Sequence, residues 1–306
     1  MTYQLRPEDG LIVSAKAVLT QQLLAAAQSL ENPDHGRNDA VHRARRRLKR
    51  ARALYRLIAA AAPEFRKIEN VRLRDIARDL ATLRDASALV ETVIYLQAWT
   101  QSEEERQALD TALHVLTAQC EQTVEHDEVW NTHIVSASAA CRQAAEALAV
   151  QDIPLRRAKA SRILEKAWKT LLKKAHHAMA ACHEGNEAES YHDLRKATQT
   201  YWMYLSLLRD LWPSAFALKR QSAKQLADQL GHEHDLSMLT AALDQQASRF
   251  AGGETLSHLL GIVIRQQQAL RAEALAAAET LFGDHAAQEP AIIASLWQRY
   301  ADAHQD

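Results

Sequence analysis

Arginine and lysine side chains are concentrated in residues 37–56, where nine of them accompany a single acid, Asp39. The whole chain is close to neutral, with a formal net charge of −1 over 306 residues. Like charges one helical turn apart repel each other and destabilise a helix by about 0.2–0.5 kcal/mol per pair. The stretch therefore indicates an external anion that offsets its charge, and polyanions are the first candidates.

Helical spacing gives this stretch two separate faces, because successive residues turn by about 100°. The apolar face, predicted to pack into a core, comprises Ala44, Leu48, Ala51, Tyr55 and Ile58. The basic face comprises His42, Arg45, Lys49, Arg52 and Arg56, with Arg46 and Arg50 beside it. The pattern predicts a packed helix with a directed basic surface.

A second basic stretch, residues 156–174, holds eight Arg or Lys residues and one acid, Glu165. It begins with Arg156 and Arg157. One helical face of it carries Lys159, Arg162, Lys166, Lys169 and Lys173, with Lys174 nearby. Two such basic faces, one in each half of the chain, would line a shared groove. The alternative is that each is an ordinary solvated helix surface.

Ala, Leu, Gln, Arg and Glu dominate the composition, whereas Gly, Pro and aromatic residues are scarce. This composition predicts an all-α fold. The predicted helices cover residues 11–30, 38–62, 64–99 and 103–127, with a continuation at 131–150. The predicted boundary between the two parts of the chain is Asp152-Ile153-Pro154.

Beyond this boundary the pattern repeats at one ungapped offset of 150 residues. The stretch 11–30 falls on 161–180, and the paired side chains are His42 and His192, Arg45 and Arg195, and Asp85 and Asp235. Each half holds about four helices. The repeat predicts two pseudo-symmetric, roughly four-helix bundles, residues 1–152 and 153–306, packed side by side around a basic groove or pore.

The second copy is less basic than the first. It keeps His192, Arg195 and Lys196, but its uncharged residues Gln199, Thr200 and Trp202 stand where the first copy has Lys49, Arg50 and Arg52. Repeat partners Arg74 and Lys224 would extend the positive surface, as would Arg72, Arg78, Arg84, Lys219 and Arg220. Asp85 and Asp235 either orient a nearby Arg or His or cap the helix that follows each of them.

The residues His232, Glu233, His234 and Asp235 suggest a metal site, but adjacent side chains on a helix point to different sides and no HExxH spacing occurs. No P-loop, nucleophile elbow or pair of carboxylates on a common face is present either. We therefore predict no catalytic residue, no metal, no cofactor and no enzymatic activity. The three cysteines lack metal-ligand spacing and indicate reduced thiols in the cytoplasm. No window approaches the ~18 apolar residues of a membrane span, so no membrane partner is expected.

These motifs resemble those of the conserved histidine α-helical domain family, usually called CHAD. The resemblance spans about residues 10–280 and lies in His42-x-x-Arg45, the run RRRLKRAR, the segment LRDIARDLATLRD, and their echoes YHDLRK and QLADQLGHEHDLSML. It implies two pseudo-symmetric helical bundles around a basic cavity and binding of inorganic polyphosphate, in some members at polyphosphate granules. The positions that match the family's phosphate-binding pattern are His42, Arg45, Lys49, Arg50, Arg52, His192, Arg195 and Lys196.

The predicted function is non-enzymatic binding of long-chain inorganic polyphosphate in the cytoplasm, with targeting to polyphosphate granules. The alternatives are a nucleic-acid backbone binder and, third, a metal-dependent phosphohydrolase. Few aromatic residues accompany the basic segments, and this disfavours nucleic acid. The predicted binding residues are His42, Arg45, Arg46, Lys49, Arg50, Arg52, Arg56, Arg74, Lys159, Arg162, Lys166, Lys169, Lys173, His192, Arg195, Lys196 and Lys224.

Overall fold

The computed structural model describes residues 3–34, 36–124, 127–156, 159–185, 187–250 and 252–303. Within these ranges the chain forms helices and no strand, so the all-α prediction is confirmed. The helices are α1 (Leu11–Glu31), α2 (Arg37–Leu57), α3 (Pro63–Thr82), α4 (Asp85–Gln97), α5 (Glu103–Val124), α6 (Asp127–Val150), α7 (Ala160–Glu184), α8 (Ala188–Leu207), α9 (Pro213–Gln245), α10 (Gly253–Phe282) and α11 (Glu289–Ala303). None of those described is both long and apolar enough to cross a membrane.

Proline or glycine marks the starts of α1, α2, α3 and α9. Pro63 begins α3 and Pro213 begins α9, where the missing backbone N–H has no helical partner to lose. Gly10 and Gly36 precede α1 and α2 with φ of 79° and 92°, which glycine adopts without a Cβ clash. The two sharp entries orient α1 and α2 for packing against each other.

The helix bounds follow the same offset of 150 residues as the sequence motifs. By this offset α1 corresponds to α7, α2 to α8 and α5 to the first part of α10, while α3 and α4 together correspond to α9. The sequence predicted one helix over residues 64–99, and the structure divides it at Leu83 and Arg84. There the N–H of Arg84 bonds to the carbonyl of Ala81 at 2.8 Å, a tight turn without proline or glycine.

Two hydrophobic cores hold the helices together, and each contains residues from both halves of the sequence. The larger core combines α1, α2, α3 and α6 with α7, α8, α11, the first part of α9 and the last part of α10. The smaller core combines α4 and α5 with the last part of α9 and the first part of α10. We expected one bundle per half. That division stays a prediction, and the cores add that the two halves share apolar contacts.

The apolar face of α5 shows why the packing crosses the midpoint of the chain. Its buried residues Ala108, Leu109, Ala112 and Leu116 belong to the smaller core. On the same side, Glu105 accepts bonds from Arg265 of α10 at 2.9 and 3.0 Å. An amphipathic helix buries its apolar face wherever a complementary face is closest. The division at residues 152 and 153 therefore stays a prediction about the sequence repeat and does not separate two cores.

Candidate anion-binding site

The two faces predicted for α2 are both present. Ala44, Leu48 and Ala51 are fully buried, and Tyr55 and Ile58 are 1% exposed, which confirms the predicted apolar face. The basic face is turned toward α3, α4, α8 and α9, and most of its side chains are half-buried. A cation placed there loses part of its hydration, and this costs free energy unless an anion pairs with it.

His42, Arg45 and Lys49 form the first-half part of a central cluster. Nδ1 of His42 receives a short bond from Nη1 of Arg84, whose Nη2 also donates to Glu91 at 2.8 Å. Arg45 donates from Nη1 to the carbonyl of Ala77 at 3.4 Å. The turn between α3 and α4 thus brings Arg84 back over α2.

The second half contributes the equivalent side chains from α8 and α9. The rings of His192 and His234 stack with centroids 4.5 Å apart. Arg195 lies over Gly231, where an added Cβ would be 3.8 Å from its Nη2. Nε of Arg195 and Nδ1 of His192 are buried without a hydrogen-bond partner among the described residues. Two buried polar atoms of this kind indicate that a ligand or water completes the site.

Asp85 and Asp235 lie beside the arginine of their own half. Burial raises the pKa of both carboxyls, and the adjacent charges of Arg45 and Arg195 oppose the shift. The capping alternative is wrong for Asp235, because it lies inside α9 and the helix continues through it. Asp85 is the first residue of α4, but the residue at the cap position is Arg84. Both aspartates therefore act as neighbours of an arginine.

The central cluster is electrostatically strained. It is defined as His42, Arg45, Lys49, Arg84, Asp85, His192, Arg195, His234 and Asp235. Burial, followed by the charges of Arg195 and Arg45, lowers the pKa of Lys49 to about 8. Burial, followed by Arg195, lowers the pKa of His234 to about 4. The pKa values of His42 and His192 are also lowered, first by burial. Burial therefore favours the neutral form of all three imidazoles.

A cavity of about 790 Å³ opens beside this cluster, between the corner that joins α2 to α3 and the pair α7 and α8. It is called the basic pocket here. The basic side chains that line it are Arg56, Arg66, Lys166, Lys173, Lys174, His177 and Lys196, and among its described lining residues Asp193 is the one acid. First- and second-half cations therefore face the same space.

Arg52 and Arg56 connect the central cluster with the basic pocket. Arg52 donates from Nε to Asn70 of α3 at 3.2 Å, and its pKa is lowered first by burial and then by Arg56 and Arg74. Arg56 donates from Nη1 to the hydroxyl of Thr200 at 3.3 Å. The uncharged second-copy residue Thr200 thus holds a first-copy arginine in place. The cations form one continuous path along α2.

Several predicted binding residues lie outside this path. Arg46 is exposed. Arg50 is 5.2 Å from the ring of Tyr3, in a cation–π contact. Lys159, Arg162 and Lys169 are exposed on α7 without lining the basic pocket, and Lys169 pairs with Glu165 at 2.6 Å. Lys224 is held by Asp228 at 2.6 Å. Arg157 lies outside the described residues.

Sequence reasoning missed Arg66, Lys174, His177 and His234 as site residues. Lys174 and His177 lie one and two turns of α7 beyond Thr170, which also lines the basic pocket, so helical spacing contained the signal for both. His234 was considered as a metal ligand only. The neighbours of His234 diverge: His232 stacks on Tyr95 at 4.3 Å, and Glu233 pairs with Arg271 at 2.7 Å. No metal-holding group of three or more His, Cys, Asp or Glu occurs in the described residues, and absence of a metal stays a prediction.

Comparison with known proteins places this arrangement in a family. The family model of the CHAD domain matches residues 17–244, which is more than half of the chain. The protein belongs to the CHAD domain family. A crystal structure of the CHAD domain from the plant Ricinus communis matches with a TM-score of 0.62 and 18% identity, covering 92% of this chain and 94% of that chain. At this identity the likeness concerns the CHAD fold alone. No curated protein matches the sequence.

Proposed function

We propose that this CHAD domain binds inorganic polyphosphate along the path from the central cluster to the basic pocket, without chemical conversion. The observation that carries the proposal is the convergence of half-buried cations from both halves on too few carboxylates. Among the described residues of the central cluster, Arg45, Lys49, Arg84 and Arg195 face the carboxylates of Asp85 and Asp235. Two further carboxylates act from its edge: Glu91 accepts a bond from Arg84, and Glu233 acts on Arg195 but is paired with Arg271. Burial and then repulsion from Arg195 and Arg45 lower the pKa of Lys49, and an anionic ligand would offset this repulsion.

The shape of the path supports a linear polyanion. Lys49, Arg52 and Arg56 follow one another along α2 at intervals of about one turn, or roughly 5 Å. Each phosphate of a linear chain can therefore meet a new cation, and forked guanidinium groups bind phosphate oxygens through two donors. Such a ligand suits the cytoplasm and the surface of polyphosphate granules, and we include this location in the proposal.

Nucleic acid is the alternative ligand, because its phosphodiester backbone would meet the same cations. Single strands also need exposed aromatic side chains on which bases stack. The one aromatic residue of α2, Tyr55, is buried in the core. The cations of α2 therefore favour a polyanion without bases.

The test is a competition between long-chain polyphosphate and duplex DNA at physiological salt. Polyphosphate should displace DNA, and preferential retention of DNA would reverse our ranking. Binding should raise the melting temperature because the ligand stabilises the folded state, and the gain should shrink with added salt. Release of phosphate by the pure protein with Mg²⁺ or Mn²⁺ would contradict binding without conversion.

Two lysines of α7 provide a matched pair of variants. Lys173 lines the basic pocket, whereas Lys169 is 63% exposed and pairs with Glu165. Lys173→Gln should weaken polyphosphate binding about tenfold at low salt, which corresponds to the loss of one charge-assisted contact. Lys169→Gln should weaken it much less. Equal losses would show that the ligand follows the outer face of α7 and not the basic pocket.

A further inference from the structure

The basic pocket has an apolar floor that a bare phosphate chain cannot use. The floor lies between the cations and comprises Leu57, Ala60, Pro63, Ile163, Ala167 and Leu171. Ala60 is exposed and Ala167 is half-exposed, so part of this carbon surface is in contact with solvent. Phosphate oxygens gain from charged donors, whereas covering apolar carbon stabilises only ligands that carry an apolar body.

The pocket also offers hydrogen-bond acceptors where an inorganic polyanion would need donors. Asp193 is the acid of its rim, and although one oxygen accepts from Lys196 at 2.9 Å, the side chain is 57% exposed. The hydroxyls of Thr170 and Thr200 donate to the carbonyls of Lys166 and Lys196 at 2.8 and 2.7 Å. The oxygen of Thr170 therefore presents lone pairs, and that of Thr200 keeps one beside the bond that it accepts from Arg56. Acceptors of this kind suit amino and hydroxyl groups.

The dimensions of the basic pocket fit a small organic molecule. Its volume of about 790 Å³ lies within the range of small-molecule sites. Along α7, the lining residues from Ile163 to Lys174 span about 16 Å at 1.5 Å per residue. The space is long enough for a flat ring system and a short run of phosphates placed end to end.

We propose that the basic pocket is a binding site for nucleoside polyphosphates. The base and ribose cover the apolar floor and donate hydrogen bonds to Asp193 and the threonine oxygens, while the phosphates contact Arg56, Lys173 and the other cations of the rim. This proposal rests on the basic pocket alone and does not require long polyphosphate to bind the central cluster. Nucleotide and polyphosphate would compete wherever the two ligands share these cations.

The experiment compares ATP with tripolyphosphate, which has the same number of phosphates, by calorimetric titration in buffer with EDTA. Covering about 60 Å² of apolar floor corresponds to an affinity gain of about tenfold, and ATP should bind tighter by at least that factor. Adenosine alone should bind too weakly to measure, because it lacks the phosphates. Equal affinities for ATP and tripolyphosphate would overturn the proposal and leave polyphosphate binding untouched.

Variants locate the effect in the basic pocket. Ala167→Gln and Ala60→Gln place a polar side chain on the floor and should bring the affinity for ATP down to that for tripolyphosphate. Ala180→Gln is the matched control, since Ala180 is exposed on α7 and does not line the pocket. An ATP preference that survives both floor variants would overturn the assignment.

Two further outcomes separate this proposal from its neighbours. Tighter binding of geranyl diphosphate than of ATP would show that the floor accepts an alkyl chain, and would overturn the choice of a nucleotide. Binding of ATP by a protein that does not bind long polyphosphate would support the basic pocket as a nucleotide site and refute the proposed polyphosphate function.

Discussion

His234 should make the stability of the ligand-free protein fall on mild acidification. Its pKa is lowered from 6.5 to about 4, first by burial and then by Arg195 and His192. The imidazole of His234 is therefore protonated below pH 6.5 in the unfolded chain but only near pH 4 in the folded protein. Protonation favours the unfolded chain, so the stability that the neutral imidazole contributes above pH 6.5 is lost as the pH falls toward 4. Between pH 6.5 and 5 the loss from this one group is about 2 kcal/mol.

The assay compares His234→Gln with the wild type by thermal unfolding at pH 7 and pH 5. Glutamine keeps a polar side chain of similar reach but does not titrate, and the histidines and carboxylates that are not in contact with His234 cancel in the difference. At about 1.6 °C per kcal/mol for a chain of 306 residues, the melting temperature of the wild type should fall by roughly 3 °C more than that of the variant. Equal falls would refute the burial of a neutral imidazole beside Arg195.

Two further predictions concern the same cluster. Gly231→Ala should raise the free energy of unfolding by up to about 1 kcal/mol, because alanine favours a helix interior. The new Cβ would lie 3.8 Å from Nη2 of Arg195, which is an ordinary contact. A lower melting temperature would show that the Arg195 guanidinium cannot accommodate the added methyl group. Polyphosphate binding at pH 8 should take up protons, because an anion raises the pKa of Lys49 from about 8. Calorimetry in buffers of different ionisation enthalpy measures this uptake, which Lys49→Arg should abolish; buffer-independent heats in the wild type would contradict it.

Local rules predicted the helices well because helix signals are local. Pro63, Pro213 and the 3.6-residue periodicity are contained in short windows of sequence, as is the apolar face of α2 from Ala44 to Ile58. The interruption at Leu83 and Arg84 was not predictable in this way. It has neither glycine nor proline, and its Arg84 is held by contacts with His42 on another helix.

The site was predicted in part, for a related reason. The periodicity of α2 identified Arg45, Lys49 and Arg56 as one face, and the repeat identified Arg195 as an equivalent position. The packing of the helices decides which basic face of α7 adjoins α2. The periodicity of the sequence does not predict that packing. Lys173 therefore lines the basic pocket, while Lys169, one turn away, pairs with Glu165 in solvent.

The repeat affects the two parts of the site differently. The central cluster combines two copies of one motif, with His42 and Arg45 matched by His192 and Arg195, whereas the sequence holds no second copy of the basic pocket. At the repeat-related positions of its seven basic residues stand Ser206, Phe216, Lys16, Leu23, Leu24, Ala27 and Arg46, of which two are basic. A duplicated cluster suits a polyanion that looks the same in both directions along its length. A single pocket with an apolar floor suits a ligand with two different ends, so the two proposed ligands can be separated by mutating the apolar floor and leaving the cations in place.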